Sequence, residues 1–190
     1  MERGFKARCE NIALGLRKEL GLARTGPLSP HALAAYLRIP VLTLSEIPGV
    51  NPADTRQLLV VDPDAWSAIT VSRDGHEVII TNPNHRGGRP ATDIMHEIAH
   101  LLLGHEPSTM FYVGEEDIAL RAYNAGAEEE ATWLAGTLLL PREALVHLSS
   151  IGLSDLAACR EYGVSRDLLK MRADVTGVNR QFGRRRRSAR

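Results

Sequence analysis

The stretch TDIMHEIAHLLLGH, residues 92–105, decides the reading of this chain. Its Ile, Met, Ala and Leu residues recur as on a helix bound for the interior, from Ala91 to Gly104, yet it also carries His96, Glu97, His100 and His105. His96 and His100 are four residues apart, about one helical turn, so both rings leave the same face, one above the other. Two imidazoles so placed can converge on one ion, at about 2.0–2.1 Å each for zinc. Glu97 is offset from His96 by about 100° and points beside the ion. A carboxylate there can take a proton from a water that the ion activates. This is the HExxH arrangement, and its chemistry is zinc-assisted hydrolysis. The composition gives the motif by chance in roughly two of a hundred shuffled chains, so context must carry it. Unpaired polar groups on a buried helix cost free energy, and a bound ion removes that cost.

A hydrolytic zinc takes three protein ligands and keeps one position open. Donors downstream of the motif are His105, Glu106, Glu115, Glu116, Asp117, Glu128, Glu129, Glu130 and His147. His105 would lie about 180° from His96 if the helix continued. The wider pattern HExxHxxGxxH is absent, because residue 103 is Leu and residue 106 is Glu. An acid from a second helix fits better. EEEATWLAGTLLLP, residues 128–141, begins with three glutamates and has an inner face of Ala131, Leu134, Ala135 and Leu138. Glu128 shares that face, Glu130 is the second choice, and Glu129 is expected to face water. Two imidazoles and one carboxylate suit Zn²⁺, one per chain, although manganese or iron could bind the same set.

Around this helix the pattern predicts an α+β fold. A small, mostly antiparallel three-stranded sheet packs on the HExxH helix, with N-terminal helices before it and a helical, helix-turn-helix-like region after it. Residues 7–22 have helical spacing; a second helix starts at the cap Ser29 with Pro30 in its first position and runs to Pro40. The strands are expected in RQLLVVD, residues 56–62, and in the two arms of WSAITVSRDGHEVIITN, residues 66–82, joined at Asp74-Gly75. Residues 106–114 read as irregular and 115–140 as helical with a break near Gly126. Helices at 141–149, 153–162 and 165–176 follow. The expected organisation is a metallopeptidase domain over 1–150, a helical pair over 151–179, and a disordered Arg-rich tail over 180–190.

The 190 residues are 44% hydrophobic, enough for one full core, and carry no net formal charge. Six arginines fall in residues 180–190 with no acid, so the remainder is acidic and does not resemble a nucleic-acid binder. Cys9 and Cys159 form no CxxC motif and read as reduced thiols of a cytosolic protein. No apolar leader and no run of about 18 apolar residues occurs, so the expectation is a cytoplasmic protein without a membrane span.

HEIAHLLLGH, then EEEATWLAGTLLLP, then YGVSRDLLKMR together resemble the ImmA/IrrE family of bacterial and phage zinc metallopeptidases, which are gluzincin-like, over about residues 66 to 177. The resemblance implies that His96, His100 and Glu128 are metal ligands and Glu97 the catalytic acid/base. Thr132 stands where the family usually has Asn, Leu134 where it has Phe, Leu140 where it has Met, and Thr92 where an aromatic precedes the motif. It also implies a substrate class: a helix-turn-helix repressor, whose cleavage or inactivation switches on stress or mobile-element genes.

An extended peptide is expected to add to a strand edge, and HEVIITN, with Val78, Ile80 and Asn82, is the candidate. Tyr123, Tyr112, His105 and His85 are candidate oxyanion donors. Two other readings compete. LAACREYGVSRDLLKMR scans as a helix-turn-helix whose second helix holds Arg166, Lys170 and Arg172, but Asp167 and Asp174 weigh against direct DNA binding. The chain could instead be a metal-stabilised regulator or repressor-binding module without turnover, in which Glu97 would be dispensable.

Overall fold

The computed structural model describes residues 1–73, 76–105, 109–113, 116–120 and 124–182, with backbone alone for 73, 109–113 and 116–120. Helix α1 (Phe5–Glu19) buries Phe5, Cys9, Ala13 and Leu16 at helical spacing. Helix α2 (Pro30–Tyr36) starts at Ser29, whose hydroxyl accepts from the Ala32 amide at 3.3 Å, and ends before Pro40. The run expected as the first strand is helical instead. Asn51 caps α3 (Pro52–Arg56) and Pro52 sits at its start. The chain then continues as a π-helical turn over Gln57–Val61, held by the Trp66 indole, which donates to the Leu58 carbonyl at 3.1 Å. Val60 and Val61 are more than half exposed, so no sheet face exists for these β-branched residues to bury.

Strand β1 (Val41–Thr43), too short to register as a period, takes the expected strand's place. Strands β2 (Ala68–Arg73) and β3 (His76–Thr81) pair antiparallel, and β1 pairs parallel to β3 through Val41↔Ile79 and Thr43↔Thr81. A hairpin of β4 (Thr109–Val113) and β5 (Glu116–Leu120) meets β2 at Ser72↔Ala119, giving the order β1-β3-β2-β5-β4. A hairpin stands where the sequence pattern predicts irregular chain over 106–114 and helix from 115. The Asp74-Gly75 turn lies outside the described residues, as does the tail from 183.

This topology corrects the expected substrate edge. β3 lies between β1 and β2, so Ile80 is covered on both sides of the strand. Val78 pairs with Val71 of β2. Asn82 is 3% exposed, and its amide nitrogen donates to the carbonyls of Pro63 and Trp66 at 2.6 and 2.9 Å, which ties down a loop.

Helix α4 (Arg89–Leu103) packs against β2, β3 and α5 (Ala125–Leu139). Helices α6 (Arg142–Ser150), α7 (Asp155–Tyr162) and α8 (Arg166–Val175) follow, with Ser154 and Ser165 as side-chain caps of the last two. One cluster of buried residues runs from Phe5 and Cys9 through Ile98 and Leu134 to Leu169 and Val178.

The C-terminal carbonyls of α5 are met by two buried guanidinium groups. Arg17 donates to the carbonyls of Leu138 (2.8 Å), Ala13 (3.0 Å) and Gly26 (2.9 Å). Arg172 donates to Leu140 O at 3.1 Å and to Glu10 Oε1 at 3.0 Å. Burial pulls Arg17 down to about 10 and lowers Arg172 as well, and Arg17 stays a cation at neutral pH. Positive charge at a helix C-terminus opposes the partial negative charge of the exposed carbonyls. Both cysteines are free thiols, Cys9 buried and Cys159 half-buried, and burial pushes Cys9 up to about 11. Among the described residues no helix is long and apolar enough to cross a membrane.

The loop entering α4 touches the turn between α7 and α8. A Cβ on Gly88 would stand 2.4 Å from the Ser165 nitrogen and 2.5 Å from the Val164 carbonyl carbon. Those neighbours are main chain and cannot rotate away. Gly88→Ala is therefore expected to destabilise the chain by at least about 1–3 kcal/mol, the usual cost of overpacking. The measurement is urea unfolding, where the midpoint should fall at unchanged slope.

Candidate metal centre

Helix α4 begins with Pro90 in its first turn and ends at Gly104, whose φ of 68° is left-handed. Within it, His96 and His100 bring their Nε2 atoms to 3.1 Å, with ring centroids 4.7 Å apart and planes at 73°. Glu128 approaches from the first turn of α5. Its Oε2 is 3.0 Å from His96 Nε2 and its Oε1 3.3 Å from His100 Nε2. Asn124 sets that turn, its side-chain oxygen accepting from the amides of Gly126 and Ala127 at 3.0 and 3.3 Å. A helix N-terminus also favours an acid electrostatically.

The three residues fit a divalent ion. Ligands about 2.0–2.1 Å from a tetrahedral centre are about 3.3–3.4 Å from one another. The separations of 3.1 Å between the two Nε2 atoms, and of 3.0 and 3.3 Å from them to the two different oxygens of Glu128, approach that edge length. Two imidazole nitrogens and one carboxylate are also the donor chemistry of hydrolytic zinc sites. His100 is 1% exposed, whereas His96 and Glu128 are half-buried, so the cluster is closed on one side and open on the other.

Glu97 is 8% exposed, and its Oε2 accepts a hydrogen bond from the Thr70 hydroxyl of β2 at 2.6 Å. Thr70 escaped the sequence reading because nothing in a strand's own pattern reports which of its residues meets a helix distant in the chain.

His105 is not on the open side of the cluster. Gly104 reverses the chain, and the amides of Gly104 and His105 donate to the carbonyls of Leu101 and His100 at 3.1 and 3.0 Å. The His105 ring consequently sits behind His100, its Nδ1 3.0 Å from His100 Nδ1 and its Nε2 3.5 Å from Glu130 Oε2. That position corrects the expectation of an oxyanion donor. Glu130, the second choice for third ligand, faces His105 in place of the histidine pair. Glu129 is exposed, and His147 is exposed on α6. His85 is 6% exposed with its Nδ1 2.5 Å from Asp93 Oδ2. Glu106, Glu115 and Tyr123 lie outside the described residues, and of Tyr112, Glu116 and Asp117 only the backbone is described.

A peptidase M78 family model, described as the IrrE N-terminal-like domain, matches residues 56–174. That span contains β2, β3, α4 and α5, and with them His96, Glu97, His100, Glu128 and Thr70. No curated protein matches the chain.

Thr70→Val keeps the shape of the side chain and removes a hydroxyl from a buried carboxylate. Hydrogen bonds to charged groups contribute about 1.5–3 kcal/mol. The variant should lose stability on that scale in urea or thermal unfolding, while Thr70→Ser, which keeps the donor, loses less.

Proposed function

The chain belongs to the IrrE N-terminal-like family of M78 peptidases, and on that premise we propose that it is a zinc-dependent endopeptidase that cleaves a helix-turn-helix repressor. The observation that carries the hydrolytic part is the convergence of His96 Nε2, His100 Nε2 and Glu128 at tetrahedral-edge distances beside Glu97. His96, His100 and Glu128 would hold the ion. Bound there, it supplies Lewis-acid polarisation of the scissile carbonyl and of the attacking water.

The chain's own residues do the rest. Glu97 accepts the proton of the attacking water and passes it to the departing amine nitrogen. Thr70 holds one oxygen of that carboxylate, which restricts its rotation. Enclosure of Glu97 among buried residues keeps bulk water from competing for it. An extended peptide substrate would add as a further strand by main-chain hydrogen bonds.

The competing DNA-binding reading loses one of its three basic residues. Arg172 is 1% exposed and bonded to Leu140 and Glu10. A guanidinium so held does not reach a base edge. The repressor as substrate rests on family resemblance.

Glu97→Gln is expected to keep about one zinc per chain and to abolish cleavage of a co-expressed repressor, whereas His96→Ala loses the zinc itself. Metal content by elemental analysis and repressor fragments by mass spectrometry read the two effects separately. Continued cutting by the Gln variant overturns the hydrolase reading. An intact repressor with the wild-type protein overturns the substrate.

A further inference from the structure

We infer that His105, backed by Glu130, is a positioning residue that fixes the tautomer of His100 and so presents its Nε2 lone pair to the ion. This rests on the reading of His96, His100 and Glu128 as the ligand set. A neutral imidazole has one N–H donor and one acceptor nitrogen. His100 Nε2 faces His96 Nε2 and Glu128, so as a ligand it must be the unprotonated nitrogen. The ring proton then sits on Nδ1 and needs an acceptor, because His100 is 1% exposed. His105 Nδ1, at 3.0 Å, is in place to accept it. Accepting on Nδ1 leaves the His105 proton on Nε2, which faces the Glu130 carboxylate at 3.5 Å. Each group in the series therefore has one consistent role: carboxylate, donor ring, ligand ring. The two rings meet at 70° with centroids 5.0 Å apart, an edge geometry suited to N–H···N contact and not to stacking.

The arrangement is built into the backbone. Gly104 at φ 68° turns the chain so that the His105 amide lands on the His100 carbonyl, which sets where the ring can lie. Glu130 stands on the same turn of α5 that carries Glu128. The packing of α5 on α4 thus delivers a ligand and the far end of the relay together. A carboxylate acting through a ring on a ligand histidine raises that ligand's basicity, and loss of such a partner typically weakens metal binding about 10–100-fold.

The test is zinc affinity of the full chain, measured by competition with a chromophoric chelator, with the visible spectrum of the Co²⁺ form as a second readout. His105→Phe should weaken zinc binding about 10–100-fold and alter the Co²⁺ bands. His105→Asn, whose carbonyl can accept from His100 Nδ1, should recover most of the affinity. Glu130→Gln should weaken binding by a smaller factor. Nitrogen-15 spectra of the metal-free wild type at pH 8 should report His100 as the Nδ1–H tautomer. Wild-type zinc affinity in His105→Phe overturns the relay, as do equal losses in the Phe and Asn variants or an Nε2–H tautomer in the wild type. If His105→Phe does not fold, Glu130→Gln decides, and an unchanged affinity there overturns it. A wild-type chain that binds no zinc removes the ligand set as well, so the two failures are told apart.

Discussion

Helix α4 presents Ile94, Met95, Ile98 and Ala99 to the interior, and α5 answers with Ala131, Leu134, Ala135 and Leu138, all at most 2% exposed. Small residues on both helices let their backbones come close, and burial at about 25 cal/mol per Å² of apolar surface holds them there. That contact places the Glu128 carboxylate within 3.3 Å of two imidazoles. The same contact fixes the His105–Glu130 approach, while the sheet on the other side of α4 brings Thr70 to Glu97. No residue of the candidate centre is positioned by a loop alone. A cluster of polar side chains is expensive inside such a core unless every member is partnered, which ties the polar arrangement to the apolar one.

Periodicity made the central features legible. The 3.6-residue repeat in 92–105 is strong, so the face bearing His96 and His100 could be derived from spacing, whereas 134–139 are buried without a break and Glu128 is read from its place at the start of an apolar helix. The cap at Ser29, with Pro30 after it and Pro40 beyond, located α2. Features that depend on partners distant in the chain were not legible. QLLVV has strand composition, but its valines have no sheet to cover, and the cap at Asn51 wins. The three residues of β1 carry no period at all. β3 reads as an edge until β1 is placed beside it. The angle of about 180° given for His105 holds only for a helix that continues past Gly104. Gly104 at the C′ position was the available signal that it stops there.

The segment that scans as a helix-turn-helix has a different role. Its turn residues Val164 and Ser165 press on Gly88 at the entrance to α4, and one of its arginines, Arg172, closes the end of α5. The pair is thereby joined to both helices that carry the candidate centre. Its serine caps and left-handed glycine are features that any tight helix–helix corner needs, which is why the pattern alone resembles a DNA reader.

The guanidinium contacts on α5 also bear on what can be excised. The region matched by the family model begins at residue 56, yet Arg17 and Glu10 come from α1, far upstream of it. Arg17 occupies the Leu138 carbonyl and Glu10 neutralises Arg172. A fragment cut at the family boundary would therefore start life with a naked helix terminus and an unbalanced buried cation. The homologous stretch marks where ancestry is recognisable, while two buried contacts of its helices are made by residues upstream of it.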